Sequence, residues 1–186
     1  MRYQSIVISG SAGAGKTTLA KELSRIYGWP VYSVGDLWRA KWKQKYPDNE
    51  LQFEEYWRTT STQENLQTDA DFREIIVKGK VIGDGRYAIN LRDLPALLIF
   101  LSADLETRAA RVFGMEKYKN KSVDDIKQIL RQREVDEVAL GRRLYNYDYR
   151  DSSYYDLVVN TKALSVADEI AIINSVMKPD PEAAQQ

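Results

Sequence analysis

Residues 10–17 read Gly10-Ser11-Ala12-Gly13-Ala14-Gly15-Lys16-Thr17, a complete G-x-x-x-x-G-K-T segment. Such a loop needs a strand before it and a helix after it, so that inward-turned backbone N–H groups and the positive end of a helix meet on one anion. The flanks supply both. An apolar run at 5–9 precedes the loop, and the stretch from Lys16 to Tyr27 carries Leu19, Leu23 and Ile26 on one helical face. Gly28 and Pro30 then provide a stop signal. The competing reading, a glycine-rich turn with an ordinary surface lysine, does not explain all eight positions in this setting. Gly10 through Thr17, with Thr18, are therefore expected to cradle the phosphates of ATP. Lys16 should reach the β- and γ-phosphates, and the Thr17 hydroxyl should help to hold Mg²⁺.

Four further apolar segments, at 31–33, 80–83, 97–101 and 157–160, read as strands buried on both faces. Helical patterns separate them: one at 105–113, one opened by the Ser122/Asp125 capping box and expected to end near Leu140, and one opened by Ser165 and Asp168. Strands alternating with helices predict an α/β fold, a P-loop three-layer domain over residues 1–178. Two stretches interrupt the alternation: an aromatic, helical insert at about 37–78 and a basic excursion at about 114–150. The end of the chain, 179–186, reads as a flexible tail.

The chain has neither cysteine nor histidine, so metal chemistry falls to oxygen ligands, which suits Mg²⁺ and disfavours zinc. Lys and Arg total 27, as do Asp and Glu. That balance gives no bulk charge for nucleic-acid binding. The longest strongly apolar run, 94–101, is too short to cross a bilayer and contains Pro95. The polar start, Met1-Arg-Tyr-Gln, shows no secretory pattern. We expect a cytoplasmic monomer with no nucleic-acid or membrane partner. The guanine-reading N-K-x-D segment of GTPases is missing, since Asn160-Thr161-Lys162-Ala163 lacks the adjacent lysine and the aspartate. A compact kinase of small molecules remains.

Its acceptor site should lie where the second and third strands end, beside the phosphate loop. Asp36 and Arg39 follow the second strand; Asp84, Gly85 and Arg86 follow the third. Arginine forks suit paired phosphate oxygens, so Arg39 and Arg86 are candidates for an acceptor phosphate, and Asp36 and Asp84 for Mg²⁺. A helix cap with a local ion pair at 36–39, and a polar turn at 84–86, are the alternatives.

The segments Val34-Gly35-Asp36-x-x-Arg39, Asp84-Gly85-Arg86, Arg133-Glu134-Val135-Asp136-Glu137 and Tyr155-Asp156-Leu157-Val158-Val159-Asn160-Thr161 together resemble the cytidylate kinases. The resemblance runs from about Ser5 to Ile173. It implies a five-stranded parallel sheet, a mobile monophosphate-binding insert, a lid over ATP, and transfer from MgATP to CMP or dCMP. One departure is Leu140, where the family carries a lid arginine seven positions after the one matched by Arg133; Arg142 and Arg143 lie nearby as substitutes.

Seven arginines fall between Asp104 and Arg150: 108, 111, 131, 133, 142, 143 and 150. Phosphoryl transfer spreads charge over three oxygens and needs cations around them, so Arg111, Arg131, Arg133, Arg142 and Arg143 are candidate catalytic groups. The same residues could form a solvated helix face. In the insert, Trp38, Trp42 and Tyr46 share one helical face and can be either its core or a base-stacking surface. Asp69, Asp71 and Arg73 lie near the place of the family's base-reading groups, where an acid and an arginine would match the edge of cytosine. Helix-start positions are the plainer reading of Asp69 and Asp71. A kinase of another nucleotide or small metabolite, and a catalytically weak regulatory module, are the remaining alternatives.

Overall fold

The computed structural model describes residues 3–48 and 51–177; the expected tail lies outside them. Five parallel strands, β1 (Ser5–Gly10), β2 (Val31–Ser33), β3 (Ile82–Asp84), β4 (Ala96–Ser102) and β5 (Leu157–Asn160), form one sheet in the order β2-β3-β1-β4-β5. Period-two alternation divides β1 between two layers. Ile6 and Ile8 face the core built with Leu19 and Leu23 of α1 (Lys16–Tyr27) and Ile173 and Met177 of α7 (Val166–Met177). Val7 faces the other side, where Phe72 and Ile76 of α4 (Thr62–Val77) meet Leu91 and Leu98. The chain leaves β1 towards β2 on one side and reaches β4 on the other, so the crevice opens beyond the carboxyl end of β1. Gly10 is required there: its φ is 133°, and a Cβ would stand 2.1 Å from the Leu101 carbonyl oxygen.

The third strand begins at Ile82 rather than at residue 80. Gly79 (φ 72°) and Lys80 (φ 53°) turn the chain out of α4 in the left-handed region, which leaves only Val81 before pairing starts. The insert resolves into α2 (Val34–Lys45), α3 (Phe53–Thr59) and α4. Its aromatics are chiefly its own core. Trp38 and Tyr46 each meet Tyr56 edge-on, with ring centroids 6.2 and 5.9 Å apart, and Trp42 packs at 5.9 Å on Phe53.

Beyond β4, α5 (Leu105–Val112) is followed by a short 3-10 turn and then by α6 (Val123–Tyr145). Ile126 and Leu130 bury against Ala109, Val112 and Tyr118, which anchors the first half of α6. The expected Ser122/Asp125 box is formed, with Asp125 N–H donating to Ser122 Oγ at 3.1 Å and Ser122 N–H to Asp125 Oδ2 at 2.9 Å. The expected end near Leu140 is not. Gly141 is an interior residue of the helix, where a Cβ would lie 2.8 Å from the Tyr147 carbonyl oxygen and 3.0 Å from Tyr87 Cε1. It serves close packing; the stop is Asn146, at φ 50°.

Candidate active site

The phosphate loop is built as its sequence requires. Gly13 and Gly15 take φ values of 83° and 103°. Gly15, as N-cap of α1, brings no side chain to the first-turn N–H groups, and no acid lies in that turn, so these donors remain for an anion. Lys16 Nζ donates to the carbonyls of Gly10 (2.8 Å) and Ser11 (3.0 Å). Burial, and next the nearby Arg86 guanidinium, lower its pKa to about 8. Thr18 is exposed in the same turn. Behind the loop, Ser11 Oγ donates to Glu134 Oε1 at 2.8 Å, and buried Arg108 binds Glu134 Oε2 at 3.1 Å and the Ala12 carbonyl at 3.3 Å. Thus α6 is tied directly to the phosphate loop.

Thr17 Oγ1 lies 3.3 Å from Asp84 Oδ2, across from the end of β3. No group of three or more acids, histidines or cysteines able to hold a metal occurs among the described residues. One hydroxyl and one carboxylate fit Mg²⁺, which keeps waters and takes substrate phosphates as its other ligands. Asp36 is engaged elsewhere: its Oδ1 accepts from Arg39 Nη2 at 2.5 Å and Nε at 3.2 Å. The helix cap with a local ion pair is therefore what the structure shows at 36–39, although both side chains line the cleft.

Beside Lys16 stands a charge cluster that only partly figured among the sequence candidates. Glu137, 1 % exposed, holds Arg86 Nε at 2.7 Å on Oε2 and Arg133 Nε at 2.7 Å on Oε1. Arg86 Nε is an ion contact without hydrogen-bond alignment. One buried carboxylate on α6 thus pins an arginine from the end of β3 and an arginine from its own helix, both lining the cleft.

That cleft, about 810 Å³, runs from the loop to the insert. Asn65, Asp69 and Phe72 recur at helical spacing on α4 and turn one face into it. Beside them Leu91, Tyr87 and Leu140 make its wall apolar. At the polar end, Tyr145 Oη donates to Asp69 Oδ2 at 2.6 Å and shares a hydrogen bond with Asn90. Burial raises the Asp69 pKa to about 6 in spite of that hydrogen bond. A second hollow, about 270 Å³, lies between Tyr3, Pro95 and Asp156 at the amino ends of the strands, away from the loop.

Several expected site residues stand outside the cleft. Asp71, two positions past Asp69 and so roughly 200° around the helix, accepts from Gln67 at 2.7 Å. Arg73 is bound to both Asp93 oxygens (2.7 and 2.5 Å) and to the Asn90 carbonyl, so it fixes the backbone of a cleft residue instead of entering the cleft. Arg111 donates to Thr161 Oγ1 at 2.7 Å and to its carbonyl at 2.6 Å, behind the loop. Arg131 and Arg143 are exposed on faces of α6 away from the cleft, and Arg142 pairs with Asp148 at 3.4 Å. Because α6 continues through Leu140, its next turn carries Arg142 and Arg143 past the cleft, and neither lines it. Arg58, Asn65, Tyr87 and Asn90 are cleft residues, and Tyr145 a partner of Asp69 behind it, that were not among the sequence candidates. The spacing of Asn65, Asp69 and Phe72 could have found the first of the α4 set; the rest depend on chain segments distant in sequence.

Residues 5–163 match the model of the "Cytidylate kinase-like family". The chain belongs to that family. Proteins named cytidylate kinase include those of Thermoplasma acidophilum, 36% identical over 90% of this chain and 88% of its own, and Pyrobaculum islandicum, 34% identical over 90% and 89%. Membership of this family makes the chain a nucleoside monophosphate kinase. Solved structures share its fold at lower identity. An uncharacterized protein from Eubacterium ventriosum superposes with a TM-score of 0.66 at 19% identity, covering 95% of this chain and 98% of its own. Shikimate kinase from Bacteroides thetaiotaomicron gives 0.59 at 14%, covering 93% and 97%. No helix among the described residues of this cytidylate kinase-like protein is long and apolar enough to cross a membrane.

Proposed function

We propose that the protein transfers the γ-phosphoryl of ATP to CMP or dCMP, releasing ADP and the cytidine diphosphate. The observation that carries this reading is the joining, in one cleft, of the Lys16 loop, the Arg86–Glu137–Arg133 cluster and an apolar pocket with a polar end. The acceptor phosphate sits against Arg86 with Arg39 at the entrance, which directs its base towards Asp69, Asn90 and Tyr145. An oxygen of that phosphate forms the new bond to the γ-phosphorus while the bond to the β–γ bridging oxygen breaks. The attacking oxygen is already anionic, so no general base is needed, in keeping with a site that lacks histidine. Lys16 exchanges the carbonyls of Gly10 and Ser11 for phosphate oxygens, and Arg133 adds charge where the transferring group spreads its own. Thr17 and Asp84 would hold Mg²⁺, which supplies charge neutralisation on the phosphates. The stretch 114–150 serves as the lid, its moving part the turn at 114–122 and the adjacent end of α6.

Product analysis after incubation with MgATP and CMP tests this. ADP and CDP should form in equal amounts, and Lys16→Ala should lower the rate about 10²–10³-fold. Release of inorganic phosphate without CDP would oppose it.

A further inference from the structure

The polar end of the acceptor pocket is built around a carboxyl with one oxygen occupied and one free. Asp69 Oδ2 takes the Tyr145 hydroxyl at 2.6 Å; Oδ1 has no hydrogen-bond partner among the described residues, and the residue lines the cleft. Three segments converge on that phenol: Asp69 from α4, Asn90 from the stretch after β3, and Tyr145 from α6. Tyr145 is thereby committed as a donor to Asp69, and what Oδ1 offers a ligand depends only on whether the carboxyl carries a proton.

We propose that the charge state of Asp69 sets the choice between an aminopyrimidine and an oxopyrimidine monophosphate. This rests on the pyrimidine reading above and concerns the base end of the same cleft. As a carboxylate, Oδ1 accepts from the exocyclic amine of cytosine and opposes the carbonyl that uracil carries at that position. As a neutral acid, Oδ1–H donates to that carbonyl and has nothing to offer the amine. Mismatch leaves a polar group of the site unpaired, which is the costly case in discrimination.

The surroundings place this titration within reach of physiological pH. Desolvation is the dominant influence and raises the group to about 6; Tyr145 and then Lys41 act in the opposite direction. Lys41, from α2, is the only cation with a resolved effect on it among the described residues. Its ammonium is held by Thr68 Oγ1 at 2.7 Å and over the Trp38 ring at 5.2 Å. Tyr87, after β3, is neutral here, its own ionisation pushed far up by burial. On α4 itself, Asp71 accepts from Gln67 at 2.7 Å and pairs with Lys41 at 3.8 Å, and Arg73 is turned to Asp93.

The experiment is the ratio of kcat/KM for CMP to that for UMP, followed from about pH 5.5 to about pH 8 around the raised carboxyl. The second ionisation of a phosphate monoester, near about 6, is common to both acceptors and cancels in the ratio. The ratio should rise about tenfold or more over this range in the parent enzyme. Asp69→Asn, neutral throughout and offering both a carbonyl and an amide donor, should lower the ratio and flatten its pH dependence. Tyr145→Phe removes the donor that favours the ionised form, so the midpoint should move to higher pH, an effect that loss of packing alone would not produce. A flat parental ratio with CMP turned over, or an Asp69→Asn ratio that still follows the parental curve, overturns the inference and leaves the pyrimidine reading standing. Turnover of neither CMP nor UMP at any pH overturns that reading and this inference with it.

Discussion

Lys16, the proposed phosphate-binding lysine, opposes the fold that holds it. Its amine stays protonated to about 10.5 in an unfolded chain but only to about 8 in the folded one, burial being the main cause and Arg86 the next. Between those values the unfolded chain binds more protons, so folding stability rises with pH across that window, and below about 8 the full penalty applies. Lys16→Met should therefore stabilise the ligand-free protein at neutral pH by about 1–2 kcal/mol, less than the whole shift because two hydrogen bonds to loop carbonyls are lost. The same substitution should flatten the rise above about pH 8. Thermal melts of both proteins across that range check this; a destabilised Lys16→Met at neutral pH would show that the carbonyl contacts outweigh the burial. Bound phosphates restore the charge, so ATP affinity should fall as pH passes about 8, which calorimetric titration measures.

At the scale of elements, α6 carries the site's dependence on long-range structure. Glu134 joins it to Ser11 and Arg108, whose side chains are mostly buried. Glu134→Ala leaves Arg108 without its counter-charge and should cost about 2–4 kcal/mol, much of it recovered in the double variant Glu134→Ala/Arg108→Met. Denaturant unfolding of the four proteins gives the coupling; strict additivity would mean that the pair is not a unit. Hydrogen exchange should show slower exchange across 114–122 once MgATP and acceptor are both bound, and unchanged exchange would count against a lid there. Locally encoded features of these elements were legible in the sequence: the phosphate loop, the capping boxes at Ser122 and Ser165, all five strands to within two residues, and the Gly28 stop. What failed needed tertiary information. Gly141 reads as a helix stop until Tyr87 and Tyr147 are seen packed on it, and Arg73 reads as a base contact until Asp93 is seen to claim it. Asp69 carries the same charge as Asp71 in the sequence, and only the inward face of α4 separates their roles.

Taken as a whole molecule, the protein sets its phosphate loop at the switch point of the sheet and closes the crevice with two helical additions, the insert and α6. They meet across the mouth of the cleft where Arg58 of α3 approaches Asp136 of α6 at 3.2 Å. If, as proposed, the strand ends hold the acceptor phosphate and the additions read its base, the two should separate under mutation. The most direct test of the account is kcat/KM for CMP, dCMP, UMP, AMP and GMP, measured on the parent and on Arg86→Ala. A cytidylate should be the preferred acceptor of the parent, and Arg86→Ala should lose about 1.5–3 kcal/mol with every acceptor used. A parent that phosphorylates none of the five, or an Arg86→Ala variant that matches the parent on all of them, would contradict it.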